Sequence, residues 1–294
     1  MRAPMPDNAS DEQGPSGIPQ TGILSRELQL RILSGVGVAV VALALVFWSP
    51  IAFAALTFVI AAAMAWEWNR MVRGQGSDTV AILHIVTILA AVLLTASGMA
   101  GLAIAAVAVG AISVSALMFG SGIVPLSGAG VFYTGLPVIA LNWLRGDEPL
   151  GFTAALFVLL CVAVTDTAAY IAGRSIGGAK LWPAISPNKT WAGLLGGISA
   201  AALAGAVYAL LSGSGSAMWL ASLGLILGLV AQGGDLAESA LKRHYGLKDT
   251  SGLLPGHGGV MDRMDGIVMA SIAAALVAFA IDAYAPARAL LYGS

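Results

Sequence analysis

Long apolar stretches dominate this sequence. About nine runs of roughly 17 to 25 residues, each enough to cross about 30 Å of hydrocarbon as a helix, are separated by short polar or Gly- and Pro-containing breaks. Inside a bilayer every backbone N–H and C=O must find its partner within the protein, and a single apolar segment achieves this only as a helix. The expected fold is therefore all-α: a polytopic integral membrane bundle of about nine transmembrane helices. The spans fall at roughly 32 to 49, 51 to 68, 80 to 97, 100 to 118, 123 to 144, 152 to 173, 191 to 211, 217 to 235 and 266 to 285. Only 10% of the side chains are charged, where soluble domains carry near a quarter. A nucleic-acid binder, a disordered chain and a disulfide-stapled scaffold are excluded, the last because Cys161 is the one cysteine and lies inside an apolar run.

Residues 1–30 are rich in Pro, Gly, Ser and acids without periodicity and read as a disordered tail. A polar tail followed by a full-length span argues for an uncleaved first helix rather than a signal peptide. Residues 31–150 then form an N-terminal set of transmembrane helices and 151–294 a C-terminal transmembrane region, which holds the charged clusters described below. Trp48, Trp66, Trp68, Trp143, Trp191 and Trp219 fall near span ends, where interfacial belts form. Small residues crowd stretches such as 193 to 206 and 101 to 116, which reads as close helix packing. His84, alone in an apolar helix, reads as a packed or interfacial residue.

With nine spans, Arg2, Arg26, Arg31, Arg70, Arg73, Arg174, Lys180, Lys189, Lys242, Arg243, Lys248 and Arg263 fall on one side, and only Arg145 and Arg288 on the other. The positive-inside rule puts the first group in the cytoplasm. A net charge of -1 carries no polyanion signature, so any handling of anions depends on local clusters.

One such cluster is residues 235 to 265, which hold nine charged side chains, nearly a third of the chain's total, and two of its three histidines. Asp235 closes the eighth span, while Asp262 and Asp265, three apart and on one helical face, open the ninth. Carboxylates converging from two helix ends are hard oxygen ligands suited to Mg²⁺ and a phosphate-bearing substrate; salt bridges to Lys242, Arg243, Lys248 and Arg263 are the alternative. Gly256, Gly258 and Gly259 then allow backbone N–H groups to approach an anion at a helix N-terminus. A second basic strip, 174 to 193, carries Lys189 beside Ser186, Asn188 and Thr190 at the start of the next span. Asp166 lies well inside the sixth span, where a carboxylate marks a functional site unless it serves a structural hydrogen bond to Thr167 or Tyr170.

The segment SALKRHYGLKDTSGLLPGHGGVMDRMD (239 to 265) resembles the signature of phosphatidate cytidylyltransferases, integral-membrane enzymes that make CDP-diacylglycerol. Its Ser, Lys-Arg pair, Lys-Asp pair, His-Gly-Gly and Asp-Arg-x-Asp stand at the family's spacings. The strip at 186 to 193 is similar to the family's Ser-Pro-Lys-Lys-Thr-x-Glu-Gly, with Asn188 and Ala192 departing from it, and 166 to 177 is similar to its Asp-Thr-x-Ala-Tyr region. Gly266 stands where many members have Ser. The likeness covers about 150 to 285; the N-terminal half matches only in being several spans.

What the resemblance implies is cytidylyl transfer from CTP to phosphatidate, giving CDP-diacylglycerol and pyrophosphate in a multi-pass protein of the inner (plasma) membrane. It implies Mg²⁺ and a second cation held by Asp235 and Asp262, with Asp265 and Asp166 as further ligands. It assigns catalytic roles to Asp235, Asp262, Lys242, Arg243 and Lys248. Substrate contacts fall to Ser186, Lys189, Thr190, Ser239, Asp249, His257, Gly258, Gly259 and Arg263, and the protein is expected to be a homodimer that binds no nucleic acid. A CDP-alcohol phosphotransferase and an ion-coupled transporter are the rival expectations. The first lacks its Asp-Gly-x-x-Ala-Arg pattern here, and the second leaves the 239 to 265 cluster without a task.

Overall fold

A computed structural model describes residues 44–120, 124–254 and 258–294. The N-terminal tail, most of the first expected span and His257 lie outside them. Eight long helices follow in order: α1 (Pro50–Arg73), α2 (Thr79–Ala96), α3 (Ala100–Leu117), α4 (Val124–Arg145), α5 (Gly151–Ser175), α6 (Trp191–Ser212), α7 (Ala217–His244) and α8 (Met261–Ile281). A hairpin of β1 (Lys180–Trp182) and β2 (Ser186–Thr190) joins α5 to α6, and a short α9 (Pro286–Tyr292) ends the chain. Among the described residues seven helices, all the long ones except α4, are long and apolar enough to cross a membrane. The structure is an all-α polytopic bundle; seven of the expected nine spans meet both criteria among the described residues, and most of the first expected span lies outside them. α4, 22 residues long and broken in its pattern by Pro137, occupies the expected span at 123 to 144.

Local chemistry sets several helix limits. Ser49 caps α1 by accepting from Ala52 N, Pro50 takes the first position where no N–H is needed, and Gly74 closes the helix in the left-handed region at φ 74°. Thr190 caps α6 through Gly193 N at 3.0 Å, and Ser216 caps α7 through Trp219 N at 3.1 Å. Two ends differ from the hydropathy reading. α7 runs to His244 instead of stopping near 235, so Ser239, Lys242 and Arg243 stand on helix and not in a loop. Helical hydrogen bonding outlasts the apolar run because Glu238 and Lys242 pair at i, i+4. α8 begins at Met261, five residues before the apolar stretch, and brings Asp262 and Asp265 onto its first turns.

α1 to α4 pack on one another, α5 to α8 pack in sequence, and α4 against α8 is the main contact between the two groups. Small residues decide how near the helices come. A Cβ on Gly205 of α6 would collide with the Leu220 carbonyl of α7, and one on Gly224 of α7 with the Ala201 carbonyl of α6, the close approach expected of the small-residue runs. The largest apolar cluster gathers Phe157, Leu144, Leu220, Leu223 and Leu227 with Leu290 and Leu291 of α9. Outward-facing Leu203, Leu210 and Leu211 of α6 are bare of protein, as a lipid-facing surface requires. Cys161 is buried and free.

His84 is fully buried: Asn69 Nδ2 donates to its Nδ1 at 3.0 Å, and its Nε2 lies 2.8 Å from Thr134 Oγ1. That ties α1, α2 and α4 together and fulfils the packed reading. Trp68 is packed inside the protein instead of facing lipid: it is 4% exposed, and its indole N–H donates to the Leu126 carbonyl at 2.9 Å.

Candidate active site

The hairpin, α5, the first turn of α6, α7 and α8 line a cavity of about 700 Å³, within the usual range for ligand sites. Its charged lining is balanced: Asp166, Asp235, Asp262 and Asp265 face Arg174, Lys180, Lys189 and Arg263. Ala169, Tyr170, Leu181 and Leu194 add apolar wall.

Most of these charges are held by a neighbour. Lys189 Nζ meets Asp235 Oδ2 at 2.6 Å and the backbone and side-chain oxygens of Gln232, both at 3.4 Å. Gln232 donates in turn from Nε2 to Asp166 Oδ1 at 3.2 Å, so one glutamine bridges the intramembrane carboxylate and the hairpin lysine. Neither Thr167 nor Tyr170 serves Asp166: Thr167 donates to the Ala163 carbonyl, and Tyr170 accepts from Arg174 at 2.9 Å. Ser239 donates to Asp235 Oδ1 at 3.3 Å, one turn along α7. α7 and α8 come together beside these acids because position 234 is glycine; a Cβ there would stand 2.6 Å from the Asp265 carbonyl.

Asp262 is the most heavily bonded carboxylate of the cavity. Its Oδ1 pairs with Lys242 Nζ at 2.6 Å, and its Oδ2 accepts from Gly259 N at 2.7 Å, Thr250 N at 3.0 Å and Thr250 Oγ1 at 3.0 Å. Lys242 also reaches the fully buried Glu238 at 3.2 Å, so one ammonium serves two carboxylates. The Tyr245 phenol, just past α7, is pushed up in pKa by burial, and its oxygen has no hydrogen-bond partner.

The N-terminal amides of α8 do not await an external anion. Val260 N and Met261 N donate to Glu67 of α1 at 2.9 and 2.7 Å, and Gly259 N to Asp262. The anion expected at this glycine-rich helix start is supplied by the protein's own carboxylates. Gly259 is required for that: a Cβ would collide with Thr250 Oγ1 and lie 2.6 Å from Glu67 Oε1.

Of the residues expected from sequence, Asp166, Lys189, Thr190, Asp235, Asp262, Arg263 and Asp265 line the cavity. Ser186, Ser239, Lys242, Arg243, Lys248, Asp249, Gly258 and Gly259 do not. Arg243, exposed, donates to the Ile185 and Leu247 carbonyls, and Lys248 and Asp249 are exposed on the following connection. Thr190 is buried and spends its hydroxyl on the α6 cap. Sequence reasoning missed Glu67, Gln232 and Glu238, and gave Arg174 and Lys180 no site role. Acids and amides near the ends of apolar spans were the available signal. Among the described residues no three His, Cys, Asp or Glu are gathered as a metal-ion site.

Comparison with known proteins bears on the same elements. Phosphatidate cytidylyltransferase of Brucella suis biovar 1 (strain 1330) is 51% identical over 143 residues, 49% of this chain and 53% of its own. The phosphatidate cytidylyltransferase of Staphylococcus saprophyticus subsp. saprophyticus is 43% identical over 136 residues, 46% of this chain and 51% of its own. The chain thus spans about half the length of the curated relatives it matches. A family model described as the cytidylyltransferase family matches residues 29–281, which widens the likeness beyond the C-terminal half. With α1 to α8 all inside that match, the chain belongs to the cytidylyltransferase family.

Proposed function

We propose that this protein transfers the cytidylyl group of CTP to phosphatidate. The observation that carries the reading is the cavity in which four basic and four acidic side chains face one space beside apolar wall. Two polyanions must meet in such a reaction, and a site of one charge sign would repel either the substrates or their counter-cation.

An oxygen of the phosphatidate phosphate attacks the α-phosphorus of CTP. The new P–O bond forms as the bond to the bridging oxygen of the β-phosphate breaks, and pyrophosphate leaves with that electron pair. A phosphate monoester has a second pKa near 6, so the nucleophile is already an anion and needs no strong base. The protein's task is positioning and charge neutralisation. Arg174, Lys180, Lys189 and Arg263 offset the charge of triphosphate and lipid phosphate. Tyr170, Leu181 and Leu194 flank the apolar part of a substrate.

The donor set fits Mg²⁺ carried in on the nucleotide, which needs only one or two protein carboxylates beside substrate phosphates. Asp166, Asp235 and Asp265 line the cavity, and one or two of them would supply those oxygens; Asp235, like Asp262, already has both oxygens within reach of protein donors, Lys189 and Ser239. When bound, the ion would lower the repulsion between triphosphate and attacking phosphate. We further propose, from the basic-residue asymmetry, that the cavity faces the cytoplasm of a cell membrane, and from the family likeness that the protein is a homodimer.

The test is an assay of the purified full chain with Mg²⁺, labelled CTP and phosphatidate. A lipid-soluble cytidylate product is expected, lost on chelation and in Asp235→Asn. Failure of the wild type to consume CTP, or full activity in Asp235→Asn, sinks the reading.

A further inference from the structure

Glu67 sits in α1, in the half of the chain that carries none of the signature residues, yet four donors of the signature region end on it. Its Oε1 accepts from Val260 N at 2.9 Å and from the Ser251 hydroxyl. Its Oε2 accepts from Met261 N at 2.7 Å and lies 3.3 Å from Thr250 Oγ1. The residue is 0% exposed. A buried carboxylate is costly unless donors meet both oxygens, and here they do, two of them from the start of a helix whose dipole favours an anion.

The same segments are gripped twice. Thr250 and Gly259 donate to Asp262, while their neighbours Ser251, Val260 and Met261 donate to Glu67. The single Thr250 hydroxyl proton has both carboxylates within reach and serves one at a time. Beneath this, Met64, Trp68, Met71 and Val72 of α1 share one apolar cluster with Met261 and Val268 of α8. Glu67 itself does not line the cavity.

We propose that Glu67 is a positioning residue: it holds the connection around 250 and 251 to the first turn of α8, so that Asp262 meets Lys242 while Arg263 and Asp265 face the substrates. This rests on the transfer reaction proposed above. The informative variant is Glu67→Gln, which keeps the size but turns one acceptor into a donor facing donors. Its kcat should fall about tenfold or more, the factor that one hydrogen bond to a charged group represents, with the KM for CTP changed less than about threefold. Amide hydrogen exchange in peptides covering 248 to 262 should accelerate about tenfold while α2 and α3 keep wild-type rates. Wild-type kcat and exchange in Glu67→Gln overturn the inference. So does uniformly faster exchange with kcat per folded molecule unchanged, since that marks a general stability role. Should Glu67→Gln not fold, Ser251→Ala removes one donor only. It should show the same changes in smaller degree, and no change there counts against the proposal. If the wild type consumes no CTP, the reaction proposed above fails by itself. The exchange comparison then decides for or against the hold on this segment.

Discussion

Lys189 of β2 and Asp235 of α7 are joined by a 2.6 Å ion pair across 46 residues of chain, and this pair anchors the hairpin over the cavity. The same ammonium bonds Gln232, whose amide holds Asp166. Two side chains, Lys189 and Gln232, therefore link a strand, the polar end of one helix and a carboxylate inside another.

Replacing Lys189 by Met should lower kcat/KM for CTP about a hundredfold, the scale of losing one cationic donor aimed at developing charge. Arg243→Met should cost less, because Arg243 is exposed and bonds only backbone carbonyls. Steady-state kinetics on the two variants side by side check the order.

Lys242 stands between Glu238 and Asp262 with its side chain 12% exposed. Lys242→Met leaves two acids without their shared cation, a change that costs about 3 to 5 kcal/mol when a buried pair is broken on one side. Thermal unfolding in detergent should show a clear loss of Tm. The double variant Lys242→Met with Glu238→Gln should recover part of it, because the more deeply buried of the two charges, that of Glu238, is then gone while Asp262 keeps its other donors. A double variant no more stable than the single one contradicts this account.

Helix spacing gives a sharper contrast. Gly205→Ala drives a methyl into the Leu220 carbonyl of the neighbouring helix and should destabilise by about 1 to 3 kcal/mol. Gly101→Ala meets nothing within 4 Å and should change stability by no more than about 0.5 kcal/mol. Unfolding of the two variants in one detergent decides it.

Asp78 lies in the connection before α2. Burial alone would raise its pKa, but hydrogen bonds from Arg73 and Ala81 N and the Arg73 charge bring it below the ordinary carboxylate value. A depressed folded pKa means the contribution is complete above the unfolded value, about 4, and is lost as pH falls through the folded one. Asp78→Ala should therefore cost about 1 kcal/mol, as an N-cap does, at every pH above about 5. The gap to wild type should close below about 4. Unfolding midpoints across an acid series measure it; a gap that widens on acidification contradicts the assignment.

How much of this was legible in the sequence differs by element. α2, α3, α5 and α6 lie within a few residues of their hydropathy limits because in those spans the apolar run and the helix coincide. α7 and α8 do not, since their helices continue into polar residues whose ion pairs and caps carry no hydropathy signal. The hairpin at 180 to 190 was invisible as structure, because its five-residue strand of mostly polar side chains lacks apolar alternation. Asp166, Asp235, Asp262 and Asp265 could be picked out because charge is expensive at those depths. Glu67 meets the same test of cost, but its meaning lay in donors more than 180 residues away.

Run length and the scarcity of charge determined by themselves that this chain is a membrane bundle of helices, and residues 239 to 265 carried the resemblance to the family that the match over 29–281 then showed. Both are local properties, written within a segment the length of one helix or one loop. Only the tertiary structure decided which acids face the cavity and which are absorbed by neighbours, that the α8 N-terminus is capped from α1, and that Gln232 couples Asp166 to the hairpin. Those pairings depend on how near helices approach in three dimensions, which small residues such as Gly205, Gly224 and Gly234 permit and which no single segment encodes.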